Sequence, residues 1–286
     1  MQIKRLLKIS RPRFWIYEIG PYIVGIAAAA GITLNAWLLI PAIIFFFFFT
    51  YPANIFIYGI NDIFDYETDK LNPKKISYES LVMPEEWPKL WKNIILFCAP
   101  FLVYGFFVLN IQSFIALLAF FFFAGFYSST PIRAKARPFL DSIFSAGHYV
   151  ATAVFSYLMI NYFLNQEITW VNLAIGTLAG MFWAIAMHAY SAVPDIQADR
   201  DAKLETIATK LEKNKTIILC SVLYALSGIL AFKFLGIVSI ILSLVYVVFM
   251  IKSIKTTDEQ LFKIYTYFPK INSLSGMIIF FSVLLN

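Results

Sequence analysis

An all-α membrane protein with nine transmembrane helices is the fold class that this sequence predicts, on three observations. Hydrophobic residues make up 60% of the 286 positions and charged residues only 14%, whereas the surface of a water-soluble globule needs far more charge. Apolar runs recur at lengths that cross about 30 Å of hydrocarbon at about 1.5 Å per residue. Between those runs, the basic residues fall almost entirely on one side.

The runs span 14 to 30, 37 to 60, 92 to 109, 112 to 128, 139 to 163, 170 to 191, 216 to 232, 234 to 251 and 271 to 286. Basic residues precede the first, as in a signal peptide, but no small-residue cleavage site follows, so it is read as a retained helix. The second carries Phe45 to Phe49 and the fourth Phe120 to Phe123. These phenylalanines run all round their helices, so most face lipid or other helices. Segments three and four are parted only by Asn110 and Ile111, and seven and eight only by Lys233. Cys98 and Cys220 lie inside apolar segments at no metal-ligand spacing and read as small buried hydrophobes.

Lysine and arginine test this layout independently, because cytoplasmic loops hold the positive excess. With the N-terminus inside, Lys4, Arg5, Lys8, Arg11 and Arg13 begin the inside set, followed by Lys70, Lys74, Lys75, Lys89 and Lys92. Arg133, Lys135 and Arg137 come next, then Arg200, Lys203, Lys210, Lys213 and Lys215, and finally Lys252, Lys255, Lys263 and Lys270. Of 23 basic residues, Lys233 alone lands outside. The chain therefore reads as a multi-pass protein of the cell membrane with a cytoplasmic N-terminus. Its net charge of +6 follows from this bias plus whatever anion the loops bind, and implies no nucleic-acid partner. Residues 1–286 form a single membrane domain, since the longest inside loops, about 61 to 91 and 192 to 215, are too short to fold alone.

Those two loops hold the acids. Asn61, Asp62, Asp65 and Asp69 follow the second segment, and Asp195, Asp199 and Asp201 the sixth. At 100° per residue, Asp62, Asp65 and Asp69 fall within about 60° of one another on a helix. Such carboxylates repel unless a cation neutralises them, and one or two Mg²⁺ ions would make them an oxygen cage that leaves room for phosphate oxygens. Asn61 adds a neutral oxygen ligand. Asp195 and Asp199 share a face at i and i+4, with Pro194 bending the chain before them. Asp201 points elsewhere and suits pairing with Arg200 or Lys203. DxxxD is a common string by itself, and gains meaning from the first cluster at the same membrane depth. Between them runs Tyr127-Ser128-Ser129-Thr130-Pro131-Ile132-Arg133-Ala134-Lys135-Ala136-Arg137-Pro138. A diphosphate among so many carboxylates also needs cations, and Arg133 and Lys135 lie on the right side to supply them. For Arg137, topology explains the charge equally well.

NDxxDxxxD at 61 to 69, YSxxPxRxK at 127 to 135 and DxxxD at 195 to 199 resemble, in order and spacing, the three signatures of the UbiA superfamily of intramembrane prenyltransferases. Within it, Ser10 to Trp15, Asn61 to Asp65 with Leu71-Asn72-Pro73-Lys74-Lys75, and His188 to Ile196 are similar to the lycopene elongase branch, which attaches five-carbon units to the ends of a linear carotene. Lys203 departs from the pattern, because many relatives have Gly there. The resemblance implies a UbiA-like nine-helix bundle with a cytoplasm-facing cavity. It implies Mg²⁺ held by Asn61, Asp62, Asp65, Asp69, Asp195 and Asp199, and an allylic prenyl diphosphate bound with the help of Asn61, Tyr127, Arg133 and Lys135. Departure of the diphosphate leaves an allylic cation that a lipophilic acceptor attacks, and aromatic faces stabilise it.

Deeper candidates follow from spacing. Asn54 lies seven residues before Asn61 and His188 seven before Asp195, about two turns beneath each cluster, with Ser191 one turn above His188. His188 reads equally as a proton acceptor or as a hydrogen-bonded structural imidazole. His148 has no motif partner and reads as structural. A carotene pocket should hold no charged residue at mid-depth beyond His188. Two other functions fit parts of the sequence. An aromatic or other lipid acceptor would use the same donor site but require buried cations for a benzoate, which segments one, five, six and nine do not supply. A cation-coupled transporter would place its acids nearer mid-membrane.

Overall fold

The computed structural model describes residues 1–31, 36–70 and 81–285, and all its described regular structure is helical. Leu71, Asn72, Pro73, Lys74 and Lys75 lie outside the described residues. A short helix α1 (Ile3–Ile9) packs Leu6 and Ile9 against Ile55, Ile60 and Ile63. A left-handed Arg11 (φ 48°) and a 3-10 turn at Pro12–Phe14 follow, and only then does α2 (Ile16–Ala30) begin. It ends at Gly31, whose φ of 54° suits glycine.

Helices α3 (Ala36–Thr50) and α4 (Pro52–Phe64) form one apolar path broken at Tyr51. Pro52 has no N–H to continue the ladder. The Asn54 Nδ2 amide donates instead to the carbonyls of Phe49 and Thr50, at 2.9 and 3.0 Å. After α5 (Tyr66–Asp69) come α6 (Trp87–Val108) and α7 (Ile111–Ser128), the latter capped by Asn110 Oδ1 on the Ser113 N–H at 3.0 Å. The remaining elements are α8 (Leu140–Phe163), α9 (Trp170–Ala192), α10 (Ile196–Asp201), α11 (Ile207–Leu235), α12 (Ile237–Ile254), α13 (Asp258–Tyr265) and α14 (Phe268–Leu284).

The all-α membrane class holds, but the expected count of nine is high by one. Eight segments among the described residues are long and apolar enough to cross a bilayer. The one that falls short is the first, because the Arg11 break delays α2, which is left with 15 residues. The boundary between the seventh and eighth segments also shifts: Lys233 lies inside α11, and Gly236, at φ 52°, makes the turn.

Helix α8 is the hub, packed against α2, α7 and α9, while α9 packs on α11, α11 on α12, and α14 closes onto α2. Gly25 permits the α2–α8 approach, since a Cβ there would lie 2.3 Å from the Ala153 carbonyl. Phe45, Phe48, Phe49, Phe120 and Phe155 form a fully buried ring cluster, while Phe46 and Phe47 are exposed. The phenylalanine run thus divides between core and periphery. On the other side, Tyr190, Tyr224, Tyr246 and Phe268 build a second core.

Candidate active site

Both acid clusters sit at backbone breaks. Asp65 (φ −104°, ψ 4°) ends α4, and α5 resumes behind it; Asp195 (φ −100°, ψ 3°) ends a 3-10 turn, Val193–Asp195, ahead of α10. Neither cluster therefore lies on one continuous helix, as the angular spacing had implied. Asp62 and Asp65 are buried, Asp69 and Asp199 are half-buried, and Asp195 is exposed.

Basic side chains reach these acids from two other elements. Arg11 Nη2 donates to Asp62 Oδ1 at 2.6 Å, and its guanidinium stacks on the Tyr58 ring, 4.5 Å from the centroid. The Lys135 ammonium pairs with Asp65 Oδ2, which also accepts from Asn61 Nδ2; the same amide donates to Ser128 Oγ at 3.0 Å. Burial pushes the Asp65 carboxyl up from its ordinary range, opposed first by the Lys135 charge. Lys135 also lies within electrostatic reach of Asp199, and the Tyr127 phenol within reach of Asp65, Asp141 and Asp199. Lys135 and Tyr127 are thus each within reach of carboxylates from both clusters.

The buried atoms without a hydrogen-bond partner here include Arg133 Nε, a cationic donor, and Asp65 Oδ1, an anionic acceptor. Leaving such groups unpaired is costly. Their chemistry fits an anion and a cation respectively, which is what a metal diphosphate brings. Among the described residues no three His, Cys, Asp or Glu side chains converge as a closed metal cage. Asp62 and Asp65 are held instead by Arg11 and Lys135.

The second cluster is positioned from α8 and α11. Thr206 Oγ1 donates to Asp199 Oδ2 at 3.3 Å, and the next residue, Ile207, donates its N–H to Asp141 Oδ2 at 2.9 Å. Asp201 accepts from Gln197 Nε2 at 2.9 Å, and Arg200 pairs with Glu212, so the expected Asp201 partners are not the ones found. Lys203 is exposed, just past α10 and in the left-handed region (φ 55°), a backbone conformation that favours glycine.

Beneath the acids, partly exposed rings of Phe14, Tyr17, Tyr58, Tyr127 and Tyr149 alternate between helices, with Tyr17 6.1 Å from Tyr149 and Tyr58 5.9 Å from Phe14. His188 meets Tyr127 edge-on at 5.8 Å. Asn54 is 1% exposed and its amide donates to the carbonyls at the α3–α4 break, and the Ser191 hydroxyl donates to the Met187 carbonyl at 2.8 Å. Sequence reasoning placed Arg11 among the inside charges and in the Ser10 to Trp15 string but gave it no partner. It missed Glu18, buried among apolar residues and bonded to His148 at 2.7 Å. His148 thus has a partner outside the motifs, and the interior holds a further ionisable group. The signal was available, since an acid inside an apolar run is expensive.

Residues 19–262 match the UbiA prenyltransferase family. The chain is 34% identical over 273 residues to a lycopene elongase/hydratase of Halobacterium salinarum, covering 96% of this chain and 94% of that protein. It is 34% identical over 235 residues to a protein of the same name from Corynebacterium glutamicum, covering 80% and 77%. Among solved structures, a UbiA homologue from Archaeoglobus fulgidus bound to GPP and Mg²⁺ superposes with a TM-score of 0.70 at 21% identity, over 98% of this chain and 99% of that one. A UbiA homologue from Aeropyrum pernix gives 0.72 at 15%, over 96% and 98%. The structural likeness shows the fold, and the match along most of the sequence shows the family: this chain is a multi-pass membrane protein of the UbiA prenyltransferase family.

Proposed function

We propose that this protein transfers a prenyl group from an allylic diphosphate to the end of a linear carotene such as lycopene, at a site facing the cytoplasm. The observation that carries the donor half is the pair of unpartnered atoms, Arg133 Nε and Asp65 Oδ1, on two residues within electrostatic reach of each other, with Lys135 paired to the Asp65 carboxylate. One suits a phosphate oxygen and the other a divalent metal.

The residues able to hold Mg²⁺ are Asp62, Asp65 and Asp69 with Asn61 on one side, and Asp195 and Asp199 on the other. When bound there, the metal neutralises the charge that develops on the departing diphosphate. Arg133 offers a planar fork to the phosphate oxygens, while Lys135 and Arg11, already at the acids, turn point charges toward the same anion. The Tyr58 and Tyr127 faces line the region below, where an allylic cation is stabilised by aromatic quadrupoles. His188 forms the far wall against Tyr127.

The acceptor half rests on the likeness to proteins named lycopene elongase/hydratase and on the scarcity of basic side chains in the interior. A benzoate would need such a cation to bury its charge. The test is expression in a lycopene-producing bacterium, followed by mass analysis of the pigments. Carotenoids heavier by one or two prenyl units are the expected result. Prenylated hydroxybenzoate, with lycopene left untouched, would assign the aromatic acceptor instead.

A further inference from the structure

Helices α2 and α8 carry an ionisable pair that the diphosphate site does not use. Glu18 is 1% exposed and His148 5%. Glu18 Oε1 lies 2.7 Å from His148 Nδ1. The Thr152 hydroxyl lies 2.9 Å from both Glu18 Oε2 and the His148 carbonyl, so its one proton serves either of two acceptors. Holding an acid and an imidazole inside an apolar bundle is costly, and a packing role alone would be filled by apolar side chains without that cost.

The geometry decides what such a pair can do. A carboxylate at Glu18 accepts a proton held on Nδ1, which fixes the His148 tautomer and puts the free lone pair on Nε2. Among the described residues, Nε2 has no hydrogen-bond partner. An acid orienting one nitrogen of an imidazole so that the other serves as base is the arrangement of a hydrolase triad. The ring packs beside Tyr149, with centroids 4.1 Å apart, and Tyr149 in turn meets Tyr17 in the aromatic wall below the acids. His188 lies within electrostatic reach of His148 but has no carboxylate partner among the described residues.

The geometry points to His148, oriented by Glu18, as the base that ends the reaction, in place of the His188 suggested by motif spacing. This assignment rests on the prenyl-transfer reading above. The allylic C–O bond breaks and its electron pair leaves with the diphosphate. The π pair of the acceptor's terminal double bond forms the new C–C bond, and positive charge passes to the adjacent acceptor carbon. A neighbouring C–H bond then breaks: its electron pair closes a new C=C bond, and its proton goes to His148 Nε2, with Glu18 balancing the imidazolium. Where water adds to the cation instead, the same nitrogen takes the proton that the bound water must lose.

The experiment compares wild type with His148→Ala, Glu18→Gln and His188→Ala, both as pigment yield in lycopene-producing cells and as turnover in isolated membranes. Each purified protein is also tested for binding of dimethylallyl thiolodiphosphate, a donor analogue that does not ionise readily, in the presence of Mg²⁺. His148→Ala is expected to lose about 10²-fold in prenylated carotenoid, with analogue affinity within about twofold of wild type and turnover partly restored by added imidazole. Glu18→Gln should fall in the same direction, and His188→Ala should be the least affected of the three. Wild-type product levels in His148→Ala overturn the assignment, and so does parallel loss of analogue binding without imidazole rescue, which marks a structural pair. A wild-type strain that makes no prenylated carotene overturns the underlying function, and this assignment with it.

Discussion

Asp65 and Asp195 share one backbone conformation, φ −104° and ψ 4° against φ −100° and ψ 3°, each where helical structure is interrupted before a short helix. Arg11 and Arg133 are matched in the same way, both left-handed, at φ 48° and 45°, ahead of a 3-10 turn. Each cluster therefore sits at a break that interrupts the helix axis, while the two left-handed arginines both stand by the first cluster, Arg11 on Asp62 and Arg133 within reach of Asp65.

Asp65→Asn removes a charge from the first cluster while keeping the shape. Turnover should fall by at least about 10²-fold, the scale of losing one electrostatic stabiliser of developing charge. Diphosphate release assayed in membranes, with size-exclusion of the purified protein as the folding control, checks it. Activity at the wild-type rate would remove Asp65 from the metal site.

Arg133→Ala should weaken donor binding by about 1.5–3 kcal/mol, the scale of a hydrogen bond to a charged group. Arg133→Lys should restore only part of this, because an ammonium cannot reproduce a two-pronged contact. Calorimetric titration with the donor in Mg²⁺ measures both. Equal affinity in all three proteins would leave Arg133 to topology.

Arg11→Ala removes the guanidinium that meets the buried Asp62 carboxylate. Breaking such a pair from one side costs about 3–5 kcal/mol, so thermal stability should drop. Adding Asp62→Asn should recover stability without recovering turnover. A melting temperature unchanged in Arg11→Ala contradicts the pairing.

Asn54→Ala separates a scaffold role from a substrate contact. Loss of the amide bonds to the Phe49 and Thr50 carbonyls should cost about 1–3 kcal/mol in stability, with donor KM unchanged. A rise in KM at full stability would return Asn54 to the substrate.

Removal of divalent metal should abolish turnover, and Mg²⁺ should restore it. Undiminished activity in excess EDTA would exclude a carboxylate-held metal as the means of neutralising the leaving group.

The sequence by itself determined the membrane class and the family strings, because each is a local signal. Hydropathy reads off run lengths, and Asp62, Asp65, Arg133 and Lys135 lie in short motifs. Tertiary structure decided the partners. Arg11 meets Asp62 across 51 positions and His148 meets Glu18 across 130, separations at which no periodicity carries information. Asn54, placed by spacing beneath Asn61, donates to the Phe49 and Thr50 carbonyls only a few positions away: spacing along a helix gives depth, whereas backbone breaks decide which carbonyl needs a partner.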